Sequence, residues 1–139
     1  MSSIEIRQFN DGDRADVVEL WQQCFPNDPP HNEPHSIIDR KLSINDGLFF
    51  VAQFEGKLGG TILAGYDGMR GWIYHLATHP DLRRKGIGRK LVGHVVSVLS
   101  EKGCVKINLQ VRKSNQEVID FYKKIGFTED SVLSLGRLL

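Results

Sequence analysis

Residues 76–90 read LATHPDLRRKGIGRK and form the most informative segment of the sequence. An apolar strand ends near Thr78, a short loop follows, and two glycines precede a helix. Five of the eight residues from Arg83 to Lys90 are basic and none is acidic. Glycine lets the backbone approach a ligand closely, and the free N–H groups at the start of a helix attract phosphate. The segment therefore predicts a loop that binds a pyrophosphate.

The basic charge of this loop has a second interpretation, which is a solvated face at the start of a helix. Two better-known phosphate motifs are excluded by their spacing. A Rossmann loop needs a third glycine and follows an early strand, and a P-loop needs Gly-Lys followed by Ser or Thr.

The residues before this loop predict two helices and a run of antiparallel strands. A first strand is expected around Ile4 and Ile6, and Asp13 is positioned to cap a helix. The apolar face of that helix is Val17, Leu20, Trp21 and Cys24. A second helix spans 35–45, and Glu55-Gly56 and Asp67-Gly68 are turns between strands at 48–54, 57–66 and 72–78.

The residues after the loop predict a crossover to a parallel strand. One helix face is formed by Ile87, Leu91, Val95, Val98 and Leu99. Residues 105–111 alternate apolar and polar, so the unit 72–111 predicts a right-handed strand–helix–strand crossover. A last helix is expected at 115–125 and a weak final strand at 128–139. The fold class is therefore α/β (α+β), with one mixed, mostly antiparallel sheet in a single domain, 1–139.

The composition excludes several classes of protein. The chain has 139 residues, a formal net charge of +1 and 40% hydrophobic residues, so it is neither disordered nor a nucleic-acid coat protein. It has no apolar run of about 18 residues and no secretory signal, and its two cysteines are too few for a disulfide scaffold. We expect a cytoplasmic protein with no membrane or nucleic-acid partner. The basic run also lacks the aromatic residues that stack on RNA bases.

Two motifs at the expected separation resemble the GNAT superfamily of N-acetyltransferases. The first is Arg83-x-x-Gly86-x-Gly88, which follows a strand and Pro80. The second is VRKSN at 111–115 followed by FYKKIGF at 121–127. The resemblance covers 72–128, and it implies helices on both faces of the sheet and a V-shaped splay between two central parallel strands.

The resemblance also implies that acetyl-CoA is the acetyl donor. The backbone of Leu76, Ala77 and Thr78 would bind the pantetheine arm, and the Leu76 N–H would stabilise the oxyanion. The pyrophosphate would be held by the N–H groups of Arg83, Arg84, Lys85, Gly86, Ile87, Gly88 and Arg89. Asn115 would contact the cofactor, and Tyr122 would be the general acid. From its periodicity alone, Tyr122 is a core aromatic between Val118 and Ile125.

The general base is where this chain departs from the pattern of the family. Trp72 and Gln110 stand where different branches of the family carry a glutamate, and neither accepts a proton. A water relay from His75, His79 or Glu33 is an alternative, although each has a structural interpretation as a strand, turn or loop residue. The candidate substrate residues are Glu33, His75 and Gln110, and the proline-rich loop 25–34 shapes the acceptor pocket.

The leading function is direct transfer of acetyl from the thioester to a primary amine, which is a small molecule or a protein N-terminus. The alternative is a non-catalytic acyl-CoA-binding regulatory module, because both familiar bases are replaced. Cys24 and Cys104 lack an adjacent histidine and are expected to be small buried residues rather than nucleophiles. No metal is expected, since the histidine pairs 31/35 and 75/79 do not share a helix. An edge strand near the C-terminus would support a homodimer.

Overall fold

The computed structural model describes residues 3–139, and these group into two compact units that divide between residues 109 and 110. That the whole chain is one domain stays a prediction. The strands of the first unit are β1 (Ile4–Gln8), β2 (Phe49–Phe54), β3 (Lys57–Tyr66), β4 (Gly71–Thr78) and β5 (Ile107–Asn108). Its helices are α1 (Arg14–Cys24), α2 (Pro34–Ile44) and α3 (Ile87–Glu101), and the second unit contains α4 (Gln116–Lys124).

The five strands form one sheet in the order β1-β2-β3-β4-β5. The first four strands pair antiparallel, and β5 pairs parallel with β4 after the crossover through α3. This confirms the prediction of a mixed, mostly antiparallel sheet. No helix in residues 3–139 is long and apolar enough to cross a membrane.

Helices cover both faces of the sheet, because alternate residues of β2 point in opposite directions. Phe49 and Val51 pack in one core cluster with residues of α1 and α2. Phe50, between them, meets the His94 ring of α3 with 4.5 Å between ring centroids. The predicted arrangement of helices on both faces is confirmed for this unit.

The start of α1 differs in detail from its prediction. Asp13 occupies the N-cap position, but its side chain makes no capping hydrogen bond to the helix. Its carboxylate instead accepts two hydrogen bonds from the Arg7 guanidinium, at 2.7 and 2.8 Å, and one from the Asn10 N–H. The ion pair with Arg7 lowers the pKa of Asp13 and joins α1 to β1.

Two predicted strands are corrected by the structure. Only Ile107–Asn108 of the alternating stretch 105–111 is a strand, because Gly71 and Trp72 are the only residues of β4 that pair with it. Residues 128–139 contain no strand, and Val132, Leu133, Leu135 and Leu138 are 76–91% exposed. Alternation indicates which side chains share a face, but a strand also needs a partner backbone.

These corrections change the predicted position of the parallel pair. Because no strand follows β5 in the described sheet, β5 is the edge strand and β4 lies next to it, so the parallel pair is at one end of the sheet. Pairing stops after Trp72 and Asn108, so the rest of that edge of β4 is unpaired, which agrees with the implied splay. The predicted C-terminal edge strand, on which the homodimer prediction depended, is not formed.

The close contact of β3 with β4 and α3 depends on Gly60. A Cβ atom at Gly60 would lie 2.8 Å from the Ala77 carbonyl oxygen and 2.9 Å from a methyl group of Ile87. We expect Gly60→Ala to lower the free energy of unfolding by about 1–3 kcal/mol, as overpacked cores do. The matched control is Gly65→Ala in the same strand, where no atom lies within 4 Å of the added methyl group.

Urea denaturation of the two variants is the measurement. Gly65→Ala should change the free energy of unfolding by less than about 1 kcal/mol. Equal stability of the two variants would show that β3 does not need the close approach.

Candidate active site

The loop from β4 to α3 has the geometry of an anion site. After Thr78 the chain makes one 3-10 turn, Pro80–Leu82, and then enters the left-handed region at Arg84, with φ +64°, and at Gly86, with φ +84°. Gly86 is the N-cap of α3, and no side chain caps that end of the helix. The N–H groups of the first turn are therefore available to a ligand, and the helix dipole favours an anion there.

The basic side chains of this segment divide into two groups. Arg83, Arg84, Lys85 and Arg89 are exposed around the start of α3. The Lys90 ammonium instead donates a 2.8 Å hydrogen bond to the carbonyl oxygen of Ile4, so it joins α3 to β1. A Cβ atom at Gly86 would meet no atom within 4 Å, so the space beside this glycine is open.

β4 carries an extra residue in front of this loop. Leu63 of β3 pairs with Tyr74 and Thr61 pairs with Ala77, so His75 and Leu76 have no partners across the sheet. His75 has φ +50°, in the left-handed region that a residue with a side chain seldom adopts. This bulge coincides with the edge of β4 that is unpaired beyond Trp72.

Buried side chains fix the bulge in place. The indole N–H of Trp21 donates to the Thr61 hydroxyl at 2.8 Å, and that hydroxyl donates to the His75 carbonyl oxygen at 3.3 Å. The His75 ring packs against Trp21 and Phe25, with centroid distances of 4.8 and 5.1 Å. His75 therefore has a defined position at the start of the unpaired edge.

A cavity of about 360 Å³ lies beside the His75 ring. Its wall consists of two aromatic rings, four prolines, two amides, two carboxylates and the His75 imidazole. The carboxylates belong to Asp28 and Glu33, and no lysine or arginine of the described chain lines the wall. The proline-rich loop 25–34 supplies most of it. Much of the wall is therefore apolar, and its two carboxylates give the cavity a negative charge.

Within this cavity His75 faces Asp28. Its Nε2 lies 3.7 Å from Oδ2 of Asp28, and the two side chains are 14% and 25% exposed. Burial lowers the pKa of His75, and the Asp28 carboxylate only partly opposes that effect. The imidazole is therefore neutral at pH 7 and has one nitrogen able to accept a proton.

Two other candidates for the base have structural roles. The Glu33 carboxylate caps α2 by accepting from the backbone N–H groups of Ser36 and His35, which lower its pKa. His79 accepts at Nδ1 from the backbone N–H of Asp81, at 3.1 Å, within the 3-10 turn. Of the three candidates, only His75 has a side chain that makes no hydrogen bond within residues 3–139.

The two cysteines differ in their contacts but neither has a base beside it. The Cys24 thiol donates to the Thr78 carbonyl oxygen at 3.4 Å, and burial raises the pKa of this thiol. The Cys104 thiol donates to the carbonyl oxygen of Lys106. No three His, Cys, Asp or Glu residues of the described chain group as metal ligands would.

The second unit contains the remaining predicted residues. Asn115 is the N-cap of α4, where its side chain accepts from the Val118 N–H. The Tyr122 ring is 6% exposed and packs edge-on against Phe121 and Phe127. Burial raises the pKa of Tyr122, which therefore stays protonated at neutral pH. The Gln110 amide donates to the Ser134 hydroxyl.

The sequence alone does not mark Asp28 as a site residue. Its pairing with His75 joins a loop to a strand far along the chain, and no local pattern marks such a contact. The only signal was its place in a long proline-rich loop, since such loops are often functional.

Comparison with known proteins agrees with these features. A model of the acetyltransferase (GNAT) family matches residues 14–127. Acetyltransferase SG1711 of Sodalis glossinidius (strain morsitans) is 43% identical over 137 residues, which are 98% of this chain and 96% of that protein.

Solved structures share the fold. Ard1 from Thermoplasma volcanium has a TM-score of 0.81 and 27% identity, covering 92% of this chain and 84% of its own. Aminoglycoside N-acetyltransferase AAC(6')-Iy, solved in complex with CoA, has a TM-score of 0.80 over 99% of this chain and 96% of its own. At 21% identity this second likeness concerns the fold alone. The chain belongs to the acetyltransferase (GNAT) family.

Proposed function

We propose that this protein is an acetyl-CoA-dependent N-acetyltransferase that moves the acetyl group directly to a primary amine. The observation that carries the proposal is the combination of an uncapped α3 N-terminus with an unpaired β4 edge in one unit. The first suits a pyrophosphate and the second suits an extended arm with amide groups. Their order along the chain matches that of a CoA molecule, in which the arm joins the pyrophosphate to the thioester.

The residues of this loop fit the proposed donor. The N–H groups from Arg83 to Arg89 would hold the pyrophosphate, with the exposed basic side chains adding charge. The backbone of Leu76, Ala77 and Thr78 would bind the arm as a neighbouring strand. CoA in the AAC(6')-Iy structure supports this assignment for a protein of the same fold.

The acetyl group arrives as a thioester, and its transfer needs three contributions from the protein. The amine must lose a proton, because an ammonium has no lone pair. The Leu76 N–H, at the bulge, would donate to the oxyanion that forms as the amine attacks. Tyr122 would give its proton to the departing thiolate.

The cavity beside His75 supports an amine as the acceptor, because its wall has two carboxylates and no lysine or arginine of the described chain. A non-catalytic acyl-CoA-binding module remains the competing function. Acetyl-CoA binding without turnover on any amine would favour it.

Donor binding is tested with Gly86→Glu, which places a carboxylate where the pyrophosphate should bind. We expect the dissociation constant for acetyl-CoA to rise by about tenfold or more, since contact between like charges costs more than about 1 kcal/mol. The matched control is Gly68→Glu in the β3–β4 turn. Both glycines have positive φ and open space around the new side chain, so the backbone strain is similar.

Isothermal titration calorimetry measures both variants. Gly68→Glu should bind acetyl-CoA like the wild type. Equal affinities in two folded variants would remove the pyrophosphate site from the start of α3.

The acid is tested with Tyr122→Phe, which removes the hydroxyl and keeps the ring packed. Loss of a general acid typically lowers the rate by about 10²- to 10⁴-fold. Acetyl-CoA affinity and the melting temperature should change little. Tyr66→Phe is the control, since the Tyr66 hydroxyl only reaches the Gly68 carbonyl in a turn. Normal turnover by Tyr122→Phe would leave Tyr122 a packing residue.

Direct transfer is tested with the double variant Cys24→Ala, Cys104→Ala. The raised pKa of Cys24 keeps it a thiol, and thiols are poor nucleophiles. Turnover of the folded variant should stay within several-fold of wild type. Trapping an acetyl-cysteine adduct that forms and decays at the catalytic rate would instead establish a covalent route.

A further inference from the structure

We propose that Asp28 and His75 together bind the acceptor, with the Asp28 carboxylate holding its ammonium group and Nε2 of His75 taking its proton, and that the cavity selects small amines with no carboxylate beside the amine. This inference rests on the proposed function. It also identifies a general base, which the site otherwise lacks because Trp72 and Gln110 replace the two glutamates of other family members.

The distance between the two groups suits a single ammonium. Nε2 of His75 and Oδ2 of Asp28 are 3.7 Å apart, too far to bond each other well. One nitrogen at ordinary hydrogen-bond distance from the first atom can be at the same distance from the second. Both side chains are partly exposed and both line the cavity. An ammonium there donates one hydrogen bond to each of the two atoms.

The protein holds His75 in a conformation that a residue with a side chain adopts only at a cost. Its φ of +50° lies in the left-handed region, and strain of this kind persists where the surroundings enforce it. Here Thr61 fixes the backbone carbonyl, while Trp21 and Phe25 contact the ring. The imidazole is therefore positioned before a substrate arrives.

The titration behaviour of His75 fits this role. The charged groups that line the cavity with it are Asp28 and Glu33, and both are acidic. Burial outweighs the effect of Asp28, so the pKa lies below the usual 6.5 and the ring is a free base at neutral pH. As the pH falls through that pKa, the imidazole becomes protonated and can no longer accept. Activity should therefore be lost on the acid side.

The charge of the wall decides which amines fit. Two carboxylates attract an ammonium, and no lysine or arginine of the described chain is present in the wall to pair with a substrate carboxylate. A free amino acid would bring its carboxylate next to Asp28, and like charges at short range disfavour binding. The volume of about 360 Å³ is at the lower end of small-ligand sites, which suits a small amine.

The proton balance of the reaction closes with these groups. The ammonium gives one proton to Nε2, and the neutral nitrogen attacks the thioester carbon, so a C–N bond forms and the C–S bond breaks. The thiolate takes the Tyr122 proton. The amide nitrogen loses a second proton, which restores Tyr122 through solvent, and His75 releases its proton to solvent. The products are the amide, CoA thiol and one proton.

The test compares His75→Gln with the control His31→Gln, whose side chain is exposed and does not line the cavity. Turnover is measured with three amines and the amino acids that match them, namely tyramine with tyrosine, histamine with histidine and agmatine with arginine. His75→Gln should lower kcat/KM by about 10²- to 10⁴-fold at pH 7. The deficit should shrink at high pH, where solvent removes the proton instead. His31→Gln should behave as wild type.

Asp28→Asn tests the binding role, because it removes the charge and keeps the shape. It should raise the KM for the amine with a smaller effect on kcat. It should also narrow the preference for amines over their amino acids, which we expect to be about tenfold or more in the wild type. Both variants should bind acetyl-CoA normally in calorimetry.

The outcomes separate this inference from the proposed function. Failure of the wild type to bind acetyl-CoA would overturn the proposed function. Wild-type turnover that His75→Gln leaves unchanged, or a deficit that persists equally at high pH, would overturn only the role of His75. Binding of acetyl-CoA without acetylation of any amine in the panel, or faster acetylation of a peptide N-terminus or of the amino acids, would overturn the assigned acceptor class.

Discussion

The indole of Trp21 donates a hydrogen bond to the hydroxyl of Thr61, which donates in turn to the backbone of His75. Both side chains are at most 2% exposed, so loss of either partner would leave an unpaired polar group in the core, at a cost of about 1–3 kcal/mol. These two hydrogen bonds join α1, β3 and β4 at the point where β4 has its extra residue. The bulge and the position of the His75 ring in the cavity wall depend on that junction.

Sequence patterns predicted the parts of the fold that depend on neighbouring residues, such as helix faces and tight turns. The spacing of Val17, Leu20 and Trp21 predicted the buried face of α1, and Glu55-Gly56 predicted the turn between β2 and β3. The stretch 105–111 shows where this fails. Its alternation is as regular as that of a strand, yet only two residues pair, because pairing depends on a partner from another part of the chain.

The candidate site divides in the same way. The glycines and basic residues of 83–89 lie side by side in the sequence, so the anion loop could be predicted, and the structure has Gly86 at the N-cap with positive φ. The pairing of Asp28 with His75 could not be predicted from the sequence, because it depends on the bulge in β4 and on the path of the loop 25–34. The capping role of Glu33 was equally hidden, although a Pro at the next position is typical of a helix start.

The extra residue in β4 sets a rule about chain length rather than about side chains. Side chains alternate along a strand, so one residue more or fewer turns all later ones to the opposite face. The bulge absorbs this shift, because Ala77 pairs with Thr61 as it would in a strand that is one residue shorter. Deleting His75 or Leu76 would restore regular pairing with β3 and keep the partners of Ala77 and Thr78. The loss of a single codon at this point would therefore preserve the sheet and remove the bulge that holds the His75 ring opposite Asp28.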